Sequence, residues 1–244
     1  MKFKDIINTY KSTAATKKRF KAEYNLFLDN HKSWSKNSKI NISQDMMYED
    51  SVNTSFDRHY TYFPAWAIRK ILGFRKSVHD DIGSTISLST MLSAIMRVNF
   101  YDFRPAKIKL SNLVCKHADL TRLKFRNNSI DSLSCLHVIE HVGLGRYGDP
   151  IDPDGDKKAA SELVRVTSKG GNLLIVVPVG KPKIVFNMHR IYAYDQVIAL
   201  FSTMKLREFS LIQGSGDSGI IENADPGLVK KEVYGCGCFW FKKV

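Results

Sequence analysis

The chain is poor in cysteine and proline, with four and seven among 244 residues. It has no apolar run near the roughly 18 residues that a membrane span needs. Cys115, Cys135, Cys236 and Cys238 fall inside strand-like segments rather than in loops at disulfide spacing. They are expected to be reduced, buried thiols. Cys236-Gly-Cys238 supplies two soft ligands with no second pair, too little for a structural metal centre. The opening residues Met1-Lys2-Phe3-Lys4-Asp5 lack the apolar stretch of a secretory signal, and the expectation is a cytoplasmic protein. Acid is also short: 24 Asp and Glu face 37 Lys and Arg, for a net charge of +13. Residues 1–42 alone carry ten basic and three acidic side chains. Such an excess steers toward phosphates in nucleotide sugars, nucleic acid or anionic lipid. No RNA-recognition signature accompanies it, so nucleic acid is the less favoured partner.

What is present is alternation. A hydrophobic content of 43% and a charged content of 25% fit an ordinary globular chain. The expected organisation is a basic helical extension over 1–72 and one α/β domain over 73–244. Residues 1–35 read as helical and 36–55 as a loop. A second helix is predicted from about Pro64 through Leu72, with the proline in its first turn. From Lys76 onward, strand-like runs alternate with helical ones: Val78–Ser84, Arg97–Asp102, a run closing on Ala118-Asp119-Leu120, Asp131–Val138 and Gly171–Pro178. A helix over Tyr194–Met204 and two strands, Leu206–Gln213 and Tyr234–Lys242, follow. This predicts a Rossmann-like, doubly wound, seven-stranded and mostly parallel sheet ending in an antiparallel hairpin. Its ligands are expected at the carboxyl ends of the strands.

Glycine scarcity bears on which ligand. A dinucleotide site wants Gly-x-Gly-x-x-Gly, so that the backbone can approach a pyrophosphate. After Gly83 this chain continues Ser84-Thr85-Ile86-Ser87-Leu88-Ser89, which favours a ligand without a pyrophosphate. S-adenosyl-L-methionine fits better. Gly83 would pass its aminoacyl part, Asp81 would sit near its cationic end, and Asp102 would accept both ribose hydroxyls. Asp119 and Leu120 would take the adenine amino group and a ring face. One charge-assisted hydrogen bond of this kind contributes about 1.5–3 kcal/mol.

These residues carry a resemblance. Val78–Ser84, Ala118-Asp-Leu, the run from Asn128 to Val142 and the run from Glu162 to Gly171 resemble the class I S-adenosylmethionine-dependent methyltransferases. More narrowly, Gly143-Leu-Gly-Arg-Tyr-Gly-Asp-Pro150 and Asn187-Met-His-Arg-Ile-Tyr192 are similar to an uncharacterised branch first catalogued from nematode proteins. That branch also occurs near bacterial surface-polysaccharide genes. The resemblance implies a methyltransferase whose donor is held by Asp81, Gly83, Ser84, Asp102, Asp119, Leu120 and His137. It covers about residues 76–244 and departs from the family in keeping one glycine of the usual three.

The acceptor side would come from the loops after the fourth and fifth strands, through Tyr147, Asp149, Arg190 and Tyr192. His189 is the preferred general base and His141 the second choice, because imidazole titrates near neutrality. Arg190 would clamp a phosphate or carboxylate. The expected acceptor is a small molecule, sugar or glycan precursor methylated on oxygen. An RNA acceptor using the basic N-terminus and a non-catalytic binding protein are the alternatives. No metal is expected. His137-Val-Ile-Glu140-His141 matches an inverted zinc-protease pattern, but Leu133 to Val138 reads as a buried strand rather than a helix, and in a strand the histidines would stand about 13 Å apart. The acidic loop from Asp149 to Asp156 lacks the terminal glutamate of a calcium site, and Asp156 is expected to cap the next helix.

Overall fold

The run Leu173–Val177 is apolar and buried on both faces, which suits a strand inside a sheet covered on both sides. The computed structural model describes residues 14–30, 44, 46, 48 and 52–244. β1 (Val78–Ile82), β2 (Arg97–Asp102), β3 (Leu113–His117), β4 (Ile130–Leu136) and β5 (Thr167–Val179) pair in parallel. β6 (Lys183–Val185) and β7 (His189–Ile191) form a separate antiparallel ribbon. β8 (Met204–Ile212) is followed by a two-residue edge strand, β9 (Ile220–Ile221). β10 (Gly235–Lys243) inserts between β5 and β8, antiparallel to both. The order is β3-β2-β1-β4-β5-β10-β8-β9. This is the expected seven-stranded arrangement, with β9 added at its rim.

Successive residues of β5 face opposite cores. Leu173, Ile175 and Val177 join the helices Gly155–Val166 and Tyr194–Leu200 on one side. Leu174 and Val176 join the helices Arg58–Gly73 and Ile86–Ser93 on the other. The result is three layers, helix on sheet on helix.

The helix expected to begin at Pro64 begins at Arg58. Asp57 caps it, accepting from Tyr60 N at 3.0 Å, so Pro64 lies in the second turn rather than the first. A proline there removes one backbone bond. Burial of Phe63, Trp66, Ala67 and Ile71, at helical spacing, outweighs that loss. This helix packs on the sheet, and the compact unit containing it starts at Phe56, so the expected boundary at residue 72 moves to about residue 55. In the preceding unit, residues 1–55, the helix Ala14–Asn30 carries an Arg19–Glu23 pair at 2.8 Å. The rest of the predicted N-terminal helix and most of the predicted loop over 36–55 lie outside the described residues.

Candidate functional site

The tips of β1 to β4 open into one cleft of about 290 Å³, lined by Gly83, Asp102, Asp119, Leu120, His137, His141, Tyr147 and Asp149 among others. Sequence reasoning placed each of these in a site, and the topology brings them to one opening. Gly83 sits at φ +70, where a Cβ would stand 2.9 Å from Val138 Cγ1. A side chain there would be strained by its backbone and would collide with the cleft wall. Its N–H donates to Tyr101 O at 2.7 Å, which joins the tips of β1 and β2.

Two carboxylates in the cleft are only half used. Asp102 Oδ1 accepts from Arg104 N at 2.6 Å. Asp119 Oδ1 accepts from Thr121 N at 2.9 Å and from its hydroxyl at 2.7 Å. The Oδ2 atom of each has no hydrogen-bond partner among the described residues, so each can accept from a ligand. Leu120 supplies buried apolar surface beside them. A single glycine that must stay side-chain-free, two free carboxylate oxygens and an apolar wall fit an adenosine-bearing donor.

Five expected site residues are instead spent on the scaffold. Asp81 is 1% exposed. It accepts from Ser84 Oγ at 2.5 Å, from Ser89 Oγ at 3.0 Å and from the Ser134 hydroxyl. Ser84 in turn accepts from Leu136 N at 3.0 Å. Both residues therefore brace the Gly83 turn rather than face the cleft. Arg190 is buried, donating to Val142 O at 2.7 Å and Pro153 O at 3.2 Å, with Nε 3.5 Å from Asp156 Oδ2. A guanidinium so engaged cannot clamp an acceptor. Tyr192 is also buried, and its hydroxyl donates to Asp156 at 3.0 Å. Asp156 lies inside the helix that Asp154 begins, so it is a buried anchor for Arg190 and Tyr192 and not the cap. Asp149 lines the cleft, yet its carboxylate accepts from Gly143, Gly145 and Tyr147 N–H groups at 2.9–3.4 Å; it shapes the loop.

The remaining histidines gather at one side of the cleft. His141 Nδ1 donates to Met188 O at 2.6 Å, which leaves Nε2 as its lone-pair nitrogen. The His189 ring lies 6.5 Å from that of His141 and 5.2 Å from that of Tyr234. Burial is the main cause holding both imidazoles below their ordinary pKa, so both are neutral at pH 7. His189 is half-buried and does not line the cleft. His137 turns its ring toward His59 and Cys236 and donates from Nδ1 to Glu140 Oε1 at 2.8 Å. Burial pushes the His59 pKa down to about 4.

Sequence reasoning missed His59 and Tyr234, whose surroundings arise only from tertiary packing, and met Glu140 only in the zinc-protease pattern it set aside. It also missed Arg104 and Arg146, which flank the Tyr147 ring at 4.7 and 5.2 Å and are both exposed. Arg104 lines the cleft, while Arg146 Nη1 donates to Met188 O at 3.1 Å beside it; exposed cations there favour an anionic ligand.

The model of a family described as "Caenorhabditis protein of unknown function, DUF268" matches residues 94–213. No curated protein matches the sequence. Among solved structures, a putative sarcosine dimethylglycine methyltransferase from Galdieria sulphuraria is 11% identical, with 74% of this chain and 84% of that one covered and a TM-score of 0.54. The YcgJ protein from Bacillus subtilis is 13% identical over 74% and 99%, with a TM-score of 0.51. The N-methyltransferase NodS from Bradyrhizobium japonicum, solved with S-adenosyl-L-homocysteine, is 13% identical over 73% and 86%, with a TM-score of 0.50. At these identities the likeness is one of architecture, and the chain has the fold of the class I methyltransferases.

Proposed function

We propose that the chain is an S-adenosylmethionine-dependent methyltransferase that acts on a hydroxyl of a small molecule, sugar or glycan precursor bearing a phosphate. The observation that carries this reading is the cleft itself. Gly83 and the free oxygens of Asp102 and Asp119 share one opening with a neutral imidazole and the exposed Arg104, and Arg146 stacks on the lining Tyr147. A fold neighbour with bound S-adenosyl-L-homocysteine supports the same ligand class.

When bound, the donor supplies an electrophilic sulfonium methyl. Asp102 Oδ2 would accept from the ribose hydroxyls and Asp119 Oδ2 from the adenine amino group, and Leu120 would cover a ring face. The protein's remaining task would be to align the acceptor oxygen with that methyl. His141 is the better placed base, since its Nδ1 is committed to Met188 O and its Nε2 can take the hydroxyl proton. His189 stands behind it. Arg104 and Arg146 hold the acceptor phosphate.

Titration calorimetry with S-adenosyl-L-homocysteine tests the donor assignment. Wild type should bind, and Asp102→Ala should bind at least tenfold more weakly, the lower end of the range for a hydrogen bond to a charged group. A flat wild-type titration would leave a binding protein that retains only the fold. Equal affinities would refute the ribose contact. A methyl-uptake screen of nucleotide sugars then identifies the acceptor. With that acceptor, His141→Gln should lower turnover by about 10²–10⁴-fold and leave donor affinity intact. Salt-sensitive RNA retention lost on deleting residues 1–42 would instead favour an RNA acceptor.

A further inference from the structure

We propose that His59, His137 and Cys236 form a site for one zinc-class divalent transition-metal ion beside the donor cleft. The three residues come from the first turn of the helix Arg58–Gly73, from the segment after β4 and from the start of β10. They are 7%, 8% and 0% exposed, and their ligand atoms all lie within 4.8 Å of one another. Cys236 Sγ is 3.4 Å from His137 Nε2. Two ligands on a tetrahedral centre with ordinary zinc–nitrogen and zinc–sulfur bonds stand about 3.3–3.6 Å apart. That pair is therefore already at ligand spacing, and His59 needs to approach by about 1 Å, a side-chain adjustment.

Two further observations point at an ion. The first concerns tautomer. His137 Nδ1 donates to Glu140 Oε1 at 2.8 Å, so the lone pair is on Nε2 and faces the sulfur. This is the carboxylate–histidine arrangement that orients metal ligands. The second concerns charge. Glu140 is 1% exposed and its Oε2 has no hydrogen-bond partner among the described residues. A buried carboxylate between His137 and His141 calls for nearby positive charge. A dication on His137 supplies it.

Three protein ligands leave one position for water or an acceptor atom, as in catalytic rather than structural zinc sites. His137 also lines the donor cleft, so the ion would border the acceptor end. Binding converts the Cys236 thiol to a metal-bound thiolate and releases its proton to solvent. The inference stands on these ligands alone and does not need the methyltransferase reading.

The test uses the full chain, without a histidine tag, stripped with chelator and titrated with Co²⁺. The expected result is one equivalent bound, with the visible bands of a tetrahedral centre and the near-ultraviolet band of a thiolate–cobalt bond. Zn²⁺ should displace both. Cys236→Ser should abolish the thiolate band, and Glu140→Gln should weaken binding by about 10–100-fold. Circular dichroism and thermal melting of the same samples report folding separately. The proposal is overturned if folded wild type shows no tetrahedral spectrum, or if the thiolate band persists in folded Cys236→Ser. Should that variant not fold, His59→Gln serves in its place, and unchanged cobalt affinity there overturns the proposal equally.

Discussion

Asp81→Ala is expected to lower unfolding stability by about 3 kcal/mol at pH 7, although Asp81 does not line the cleft. The loss follows from three hydroxyl donors, on Ser84, Ser89 and Ser134, that share this carboxylate as their acceptor inside the protein. A buried donor left without an acceptor costs about 1–3 kcal/mol. Burying an ionised carboxylate is itself unfavourable, and relief of that burial keeps the net figure below the sum of three such losses. The network continues to His79, whose Nε2 is 2.9 Å from Ser134 Oγ and whose Nδ1 is 2.7 Å from Ser132 Oγ. With the Ser134 proton on Asp81, Nε2 donates and Nδ1 accepts, which fixes a neutral tautomer.

That chain of hydrogen bonds also sets a pH dependence. Burial pushes the His79 pKa from 6.5 down to about 3. The unfolded chain takes up this proton before the folded one does. The His79 contribution is therefore complete above pH 6.5 and is lost toward pH 3, at about 1.4 kcal/mol per unit. Asp81 has the opposite sign. Burial raises its pKa from 3.8 to about 6, so the folded state takes up its proton first and gains stability as the pH falls from 6 to 3.8. Between those values the two slopes offset each other. Asp81→Ala removes one of them, and urea midpoints of the variant should fall more steeply with acid than those of wild type. Parallel midpoints between pH 6 and 4 would place the compensating carboxyl elsewhere.

Asp81 also shows where sequence reading stops. The parallel strands were legible because a strand buried on both faces must be an almost unbroken apolar run, as Leu173 to Val177 is. Asp102, Asp119 and Gly83 were legible because strand tips in such a sheet converge by topology alone. An acid at a strand end reads the same whether it meets a ligand or three serines, and one of those serines is 53 positions away. The start of the helix Arg58–Gly73 was hidden because Pro64 imitates a first turn, whereas the cap is Asp57. No local spacing could join His137 to Cys236, 99 positions apart, one just beyond β4 and the other in β10 on the far side of β5. Side-chain burial, which separates a clamp from a brace, is a property of the packed molecule.

Arg190 makes that difference measurable. Arg190→Met keeps most of the aliphatic stem but removes the donors to Val142 O and Pro153 O and the partner of Asp156, itself only 6% exposed. Removing one member of a buried ion pair costs about 3–5 kcal/mol, because the other charge remains buried. Tyr192 and the Lys157 N–H still donate to Asp156, which places the expected loss at the lower end of that range. For a chain of this size it corresponds to a melting temperature lower by on the order of 10 °C. The same change frees the segment from Val142 to Asp152, which forms one wall of the cleft, so acceptor turnover should fall with stability rather than apart from it. A clamp on an acceptor phosphate would behave otherwise: Arg190→Met would melt like wild type, and only the KM for the acceptor would rise. Scanning calorimetry of the ligand-free protein separates the two before any acceptor is known. An unchanged melting temperature would return Arg190 to the substrate side and leave Arg104 and Arg146 as secondary contacts.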